Sequence, residues 1–264
     1  MTYVYPVVSR RAGGVSVGIN LNPNNACNWR CLYCQVPGLI RGGPPPLDVG
    51  QLEGELRRML DDILHGEFMA ERVPEDLRVF ADIAFSGNGE PTSAREFPAA
   101  VAIVQRLLSD FELAGRVKIR LITNGSLMDR PSVQEGVARM GHAGGEVWFK
   151  IDAATPAAIL RTNGTRQKPE AVIRRLGLCA ELCETWVQSC FFALDGQPPS
   201  RADVDAYLNM LESVRGKIEG VHLYGLARQS GQPAADRLGR LSADWLESLA
   251  TCIRAIGLTV KVSP

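Results

Sequence analysis

The sequence predicts an α/β fold, a partial (β/α)6 TIM-like barrel. Strand-like and helix-like segments alternate along the 264 residues, which indicates a parallel sheet joined by right-handed crossovers. The strand-like segments themselves alternate apolar and polar residues. No linker long enough to separate two domains interrupts the pattern, so we expect one domain over residues 1–264.

Six strand–helix units and a last short strand account for most of the chain. The predicted strands are residues 15–21, 79–86, 117–123, 147–152, 185–194, 220–226 and 258–262. The predicted helices are residues 48 to about 65, 97–109, 131–140, 169–184, 200–214 and 242–256. In the first helix, Asp48 is the expected N-cap, and Leu52, Leu56 and Leu60 recur on one face.

The alternation within the strands predicts a polar interior. In the first strand Val15, Val17 and Ile19 share one face, while Ser16 and Asn20 share the other. If helices cover the apolar faces, the polar faces line a hydrated lumen that can hold a ligand. An antiparallel sheet with one face in water gives the same alternation, but the interleaved helices favour the barrel.

Composition and charge exclude several classes of protein. The formal net charge is zero and the pI is about 6.8, so no global field attracts nucleic acid or anionic membrane. No segment approaches a membrane span, and the N-terminus lacks the features of a signal peptide. Seven cysteines in such a chain indicate metal or catalytic thiols rather than a disulfide framework, and we expect a cytoplasmic protein.

The most informative motif is a loop at residues 22–38 after the first strand. It places Cys27, Cys31 and Cys34 at C-x3-C-x2-C spacing, with Tyr33 before the last cysteine. Three thiolates leave a four-iron cluster one ligand short, so one iron stays open for another ligand. Three buried cysteines, or a zinc site with a distant fourth ligand, are the alternatives.

Candidate residues lie at the C-terminal ends of the next three strands, where parallel-barrel sites lie, and Gln188 lies within the strand at 185–194. The candidate ligand-binding residues are Gly87, Asn88, Gly89, Glu90, Asn124, Lys150, Asp152 and Gln188. The two glycines let the backbone approach a ligand, and Glu90 can accept hydrogen bonds from an ammonium. A tight turn at 87–90, a turn asparagine at Asn124 and a structural Lys150–Asp152 pair are the simpler interpretations.

The C-x3-C-x-aromatic-C spacing resembles the radical S-adenosylmethionine (SAM) superfamily. The resemblance implies a [4Fe–4S] cluster on the three cysteines, with the SAM amino and carboxylate groups on the open iron. It also implies that an electron from the cluster cleaves SAM into methionine and a 5'-deoxyadenosyl radical. The segment Gly87–Glu90 looks like the family's Gly-Glu motif, which holds the SAM amino group. SAM is then expected across that segment, Tyr33, Asn124, Lys150, Asp152 and Gln188.

A narrower resemblance is to bacterial relatives of the tRNA wyosine-base (imidazoguanosine) synthases. It is carried by Ser9-Arg-Arg11, Gly18-Ile-Asn20, the cysteine loop, Ser86-Gly-Asn-Gly-Glu-Pro-Thr92 and Thr123-Asn-Gly-Ser126. Wyosine synthases carry a second cluster on upstream cysteines, but no cysteine precedes Cys27 here. We therefore expect no auxiliary-cluster domain. Cys179, Cys183 and Cys190 remain candidate ligands of a second cluster within this domain.

We expect a radical SAM enzyme that abstracts hydrogen from a small-molecule substrate, with flavodoxin or ferredoxin as reductant and no membrane partner. Lys150 and Arg228 are the candidates for positioning an anionic group of the substrate. Cys190, if it faces the lumen, can return a hydrogen atom to the product radical. A tRNA base is the alternative substrate, and a non-catalytic metal or Fe–S electron-transfer module is the other class of function.

Overall fold

A computed structural model of the chain describes residues 1–9 and 13–263. Its strands are β1 Val4–Ser9, β2 Gly14–Ile19, β3 Ala26–Cys27, β4 Ile40–Arg41, β5 Phe80–Phe85, β6 Lys118–Thr123, β7 Glu146–Lys150, β8 Glu184–Cys190, β9 Ala193–Leu194, β10 Gly220–Tyr224, β11 Leu238–Gly239 and β12 Thr259–Ser263. Its helices are α1 Val49–Leu64, α2 Phe68–Arg72, α3 Phe97–Asp110, α4 Pro131–His142, α5 Pro156–Asn163, α6 Pro169–Leu182, α7 Arg201–Val214 and α8 Ala243–Ala255.

The sheet confirms the predicted fold class, a partial TIM-like barrel. Eight strands pair in the order β1-β2-β5-β6-β7-β8-β10-β12. All neighbouring pairs are parallel except β1 with β2, which is antiparallel. Strands β1 and β12 are the two edges of this sheet, so the barrel is open on one side.

Several elements differ from the prediction, which included neither helix α2 nor the two-residue strands β3, β4, β9 and β11. The edge strand β1 was not predicted because Pro6 interrupts its apolar run, and proline is tolerated only at an edge. Strand β8 ends at Cys190 rather than at residue 194, because the chain leaves the sheet and residues 193–194 pair with β11 instead. Helix α5 was also missed. Arg10 and Arg11, which carry part of the wyosine-synthase resemblance, lie outside the described residues.

The apolar faces of the strands pack against the helices, as their alternation predicts. In β2 the side chains of Val15, Val17 and Ile19 are fully buried. The N-cap of α1 is Asp48, whose side chain accepts a 2.9 Å hydrogen bond from the backbone N–H of Gln51. Within the described part of the chain, each helix is too short or too polar to cross a bilayer.

The opposite faces of the strands enclose a cavity of about 780 Å³, which we call the lumen. Its wall includes Ser16, Asp82, Ser86, Arg120, Trp148 and Gln188. At its floor the Arg120 guanidinium pairs with Asp82 and Glu146 and lies 4.3 Å from the centre of the Trp148 ring. Because two carboxylates face this one guanidinium, Arg120 does not make the lumen cationic.

Candidate functional site

The three cysteines of the loop after β2 line one cavity at the C-terminal end of the sheet. Cys27, Cys31 and Cys34 are half-buried, and all three are free thiols. The cavity, which we call the cysteine cavity, has a volume of about 340 Å³. It is also lined by Trp29, Tyr33, Gln35, Val36, Leu39, Ser86, Gly87, Asn88, Gly89, Glu90, Ile122, Asn124, Lys150, Gln188 and Tyr224. Its size is typical of a small-molecule site.

The Gly-Asn-Gly segment after β5 packs directly on the cysteine loop. A Cβ atom on Gly89 would lie 2.2 Å from the carbonyl oxygen of Ala26, so no larger residue fits there. The side-chain amide of Asn22 donates a 2.9 Å hydrogen bond to the same carbonyl. The sequence explained these glycines by a close approach to a ligand, whereas the structure shows a close approach between two loops of the protein.

Helix α5 holds the loop from another side. The backbone N–H groups of Arg30 and Leu32 donate to the carbonyls of Asn163 and Thr162, at 3.0 Å and 2.8 Å. Gly164 ends the helix in the left-handed region, with φ of 62°, and a Cβ there would lie 2.8 Å from the Arg30 backbone. The C-terminus of α5 is therefore built to meet the cysteine loop.

The segment after β10 holds the same loop through side chains. The hydroxyl of Ser230 donates to the carbonyl of Leu32 at 2.6 Å. The amide of Gln232 donates to the carbonyl of Val36 at 2.8 Å, and the backbone N–H of Gly231 donates to the carbonyl of Cys34 at 2.8 Å. These bonds satisfy carbonyls of residues 32–36, which lie outside the helices and strands.

Burial keeps the loop thiols protonated in the absence of a cation. It raises the pKa of Cys27 to about 11 and that of Cys31 to about 12. Iron binding must therefore displace protons from both sulfurs. Among residues 1–9 and 13–263, no three His, Cys, Asp or Glu side chains are grouped to hold one metal ion. In a cubane cluster each cysteine binds its own iron, so the sulfurs need not meet at one atom.

Glu90 is buried at the end of the cysteine cavity and holds a fixed position. One carboxylate oxygen accepts 2.6 Å hydrogen bonds from the hydroxyls of Thr92 and Thr123. The other oxygen accepts a 2.7 Å bond from the backbone N–H of Asn124. Burial raises the pKa of Glu90 although these donors oppose the shift. The second oxygen has capacity for one more donor.

Asn124 lines the cavity but uses its side chain within the protein. Its amide donates to the side-chain oxygen of Asn28 at 2.8 Å, and its own oxygen accepts from the backbone N–H of Ser126 at 3.0 Å. It therefore connects the turn after β6 to the cysteine loop. Its predicted contact with SAM stays a prediction.

Lys150 reaches the cysteine cavity as a buried ammonium. Its Nζ donates a 2.8 Å hydrogen bond to the hydroxyl of Tyr224 and lies 4.0 Å from a carboxylate oxygen of Asp152. Burial disfavours the charge, but Tyr224 and Asp152 outweigh it and raise the pKa of Lys150. An ammonium has three donors, so two are available for an anion in the cavity.

Gln188 lies between the two cavities. It lines both the cysteine cavity and the lumen, together with Gln35, Ser86 and Ile122. The residue is only 4% exposed, and its amide makes no hydrogen bond to any residue that the structure describes, but the amide atoms remain open to the cavities. Gln188 can therefore hydrogen-bond a ligand in either cavity.

Asp152 lies outside the cysteine cavity and has protein partners on both oxygens. One oxygen accepts from the hydroxyl of Tyr33 at 2.5 Å and from the amide of Asn163 at 2.7 Å. The other accepts from the backbone N–H of Cys190 at 2.9 Å. Asp152 thus connects the cysteine loop to the end of β7, and its predicted contact with SAM stays a prediction.

The two remaining catalytic candidates do not themselves line the cysteine cavity. Cys190 packs against Tyr33 and Phe192 and lines a separate cavity of about 330 Å³. Its role as hydrogen donor stays a prediction. Arg228 lines the lumen, at its exposed rim, and so does not share a cavity with Lys150.

The three cysteines that the sequence offered as ligands of a second cluster are far apart in the structure. Cys179 and Cys183 are buried at the N-terminal end of β8, where they contact Thr185 and Gly145. Cys190 lies at the other end of β8, about 20 Å away at the rise of a strand. The three sulfurs cannot bind one cluster.

Several residues of the site carry no signal that sequence reasoning could use. Asn163, Ser230 and Gln232 contact the cysteine loop from positions more than 130 residues away. Asn163-Gly164 is typical of a helix end, which would have revealed α5 but not its partner. Contacts of this kind are set by the tertiary structure alone.

Comparison with known proteins shows the family of the chain and relatives of its fold. Residues 21–211 match the family described as the Radical SAM superfamily, which is well over half of the chain. The structure resembles a radical SAM methyltransferase from Sphaerobacter thermophilus, at a TM-score of 0.64 and 18% identity over 95% of this chain and 66% of that one. It also resembles TYW1 with a lysine-pyruvate adduct bound, at a TM-score of 0.59 and 17% identity over 92% of this chain and 74% of that one.

Among curated proteins, UPF0026 protein MJ1312 of Methanocaldococcus jannaschii is 29% identical over 148 residues, which are 56% of this chain and 39% of that protein. The chain spans at most 39% of the curated relatives that it matches. At such low identity the likeness to the solved structures concerns the fold alone.

Proposed function

Since the chain belongs to the radical SAM superfamily, we propose that it is a radical SAM enzyme and that Cys27, Cys31 and Cys34 hold a [4Fe–4S] cluster at which SAM is reductively cleaved. One observation carries the proposal: the three free thiols share a cavity of about 340 Å³ with the Gly87–Glu90 segment and Lys150. The donors fit the group, because three thiols and an open cavity match a cluster with one free iron. A zinc site of the structural kind would need a fourth protein ligand.

The charged residues of the cavity suit the two charged ends of SAM. Glu90 can accept from the SAM amino group through its less occupied oxygen, and the Lys150 ammonium can donate to the SAM carboxylate. Asn88, Asn124 and Tyr33 complete the wall. Cys27, Cys31 and Cys34 would hold the cluster, which would supply the electron for cleavage of SAM into methionine and a 5'-deoxyadenosyl radical. A reductant such as flavodoxin or ferredoxin delivers that electron.

The substrate is proposed to lie in the lumen, next to the cofactor. The shared wall at Ser86, Ile122 and Gln188 supports direct contact between the contents of the two cavities. The volume of about 780 Å³ suits a small molecule. Arg228 at the rim is the candidate for binding an anionic group of the substrate. Hydrogen is abstracted from a carbon of that substrate.

A modified tRNA base is the second candidate substrate. The open side of the barrel between β1 and β12 favours it, because a base extruded from a larger molecule can enter there. The neutral net charge and the neutralised Arg120 favour a small molecule instead. Binding of total cellular tRNA at physiological salt, with and without SAM, distinguishes the two.

Anaerobic reconstitution tests the proposal. We expect about four irons per chain in the wild type and none retained by Cys31→Ala. Reduced, reconstituted protein is expected to release 5'-deoxyadenosine from SAM. A well-reconstituted protein that releases none is instead an electron-transfer module. Deuterium transfer from labelled substrate into 5'-deoxyadenosine identifies the abstracted position.

A further inference from the structure

The side chain of Asn163 bridges a cysteine of the loop and a buried carboxylate. Its amide nitrogen lies 3.3 Å from the Sγ of Cys31 and 2.7 Å from an oxygen of Asp152. An asparagine amide has two N–H groups, so each neighbour receives one. Asn163 is only 2% exposed, and no solvent competes for these bonds.

The contact to sulfur is specific to Cys31. Among the described residues, the other two loop sulfurs have backbone donors only: Cys27 accepts from Trp29 at 3.5 Å and from Glu90, and Cys34 accepts from Val36. Only Cys31 accepts from a side chain, and that side chain belongs to a helix 132 residues away in sequence. Mutation can therefore remove this donor without removing a backbone group.

Asn163 is also fixed in place. Its carbonyl accepts a 3.0 Å hydrogen bond from the backbone N–H of Arg30, and the left-handed turn at Gly164 ends the helix directly after it. The oxygen of Asp152 that it binds is held in turn by the hydroxyl of Tyr33. The amide thus keeps its orientation between two negatively charged groups once Cys31 is a metal-bound thiolate.

We propose that Asn163 is a positioning residue that raises the reduction potential of the cluster by donating a hydrogen bond to the Cys31 sulfur. This inference rests on the proposed cluster site. Reduction adds negative charge to the cluster and its sulfurs, and an N–H donor stabilises that charge. The same amide separates the sulfur from the Asp152 carboxylate, which would otherwise repel the added electron.

The test compares Asn163→Leu and Asn163→Ala with wild type and with Asn22→Ala. The leucine variant keeps the volume, and the alanine variant fits the same space should leucine prevent folding. Asn22 is the matched control, because it is also buried and braces the cysteine loop but binds Ala26 and Ser93 rather than sulfur. Reduction potentials are measured by redox titration followed by electron paramagnetic resonance, and iron loss is followed in a chelator.

We expect both Asn163 variants to shift the potential to more negative values and to lose iron several-fold faster. Asn22→Ala is expected to lose thermal stability without shifting the potential. Equal reduction potentials in wild type and the Asn163 variants would overturn this inference but not the proposed cluster site. A wild type that assembles no cluster overturns the proposed function and this inference together.

Discussion

The phenol of Tyr33 donates a 2.5 Å hydrogen bond to the carboxylate of Asp152, 119 residues away in sequence. This bond joins the cysteine loop to the end of β7 at a fully buried oxygen. The aromatic residue of the cysteine motif therefore has a structural partner, besides lining the cysteine cavity.

Tyr33→Phe removes this bond and leaves a buried carboxylate with one donor fewer. We expect a loss of about 1–3 kcal/mol in the free energy of unfolding, because the lost partner is charged. Tyr207→Phe is the matched control, since its buried hydroxyl bonds the neutral Ser189, and about 0.5–1.5 kcal/mol is expected. Urea denaturation of the metal-free proteins measures both. Equal losses would show that the charge on Asp152 adds nothing.

Gln188→Leu tests the role of the amide between the two cavities. Because that amide has no partner among the described residues, we expect no loss of stability, and a weakening of SAM or substrate binding of about tenfold. Gln134→Leu is the control, since its amide donates to the carbonyl of Met128 at 2.9 Å. The control should lose stability and bind SAM normally. Normal SAM and substrate binding in Gln188→Leu would show that the Gln188 amide makes no important hydrogen bond to either ligand.

Ser230→Ala combined with Gln232→Ala removes side-chain donors to the carbonyls of residues 32, 34 and 36. Each neutral bond is worth about 0.5–1.5 kcal/mol, so the cysteine loop should open more often. We expect the reconstituted variant to release iron to a chelator about tenfold faster than wild type. Ser213→Ala, which removes a hydroxyl bond to Met210 inside α7, should release iron at the wild-type rate. Identical rates in all three proteins would contradict this role of the segment.

Glu55→Gln should make stability less dependent on pH in the acid range. Burial opposes the charge of Glu55, but hydrogen bonds from the backbone N–H groups of residues 2–4 and from Gln51 outweigh it and lower its pKa. A lowered folded pKa adds stability above the unfolded value of about 4.3, and that stability is lost as the pH falls through the folded pKa.

At pH 7 we therefore expect Glu55→Gln to unfold more easily by about 1–3 kcal/mol, with the difference from wild type shrinking below about pH 4. Denaturation of the metal-free proteins across this range measures it. Glu53→Gln, on the same helix but paired with surface arginines, should change stability by no more than about 0.5 kcal/mol. A constant difference at all pH values would show that the carboxylate charge is not responsible.

The sequence by itself determined the order and type of the elements along most of the barrel. The strands at residues 80–85, 118–123 and 220–224 and the helix capped by Asp48 were predictable, because period and capping are local properties. The spacing of Cys27, Cys31 and Cys34 is local too, and so was their grouping in one loop. The alternation of polar residues was sufficient to predict the lumen.

Only the tertiary structure decided which of the polar residues face the same space. Cys190 and Gln188 have the same parity in β8, yet Gln188 lines both cavities and Cys190 is covered by Tyr33 and Phe192. Strand parity gives the face of a side chain but not what lies over it. The amide that contacts both Asp152 and Cys31 comes from Asn163 of α5, which lies 132 residues after Cys31 in the sequence. Such contacts follow from the folded chain as a whole, and no local pattern encodes them.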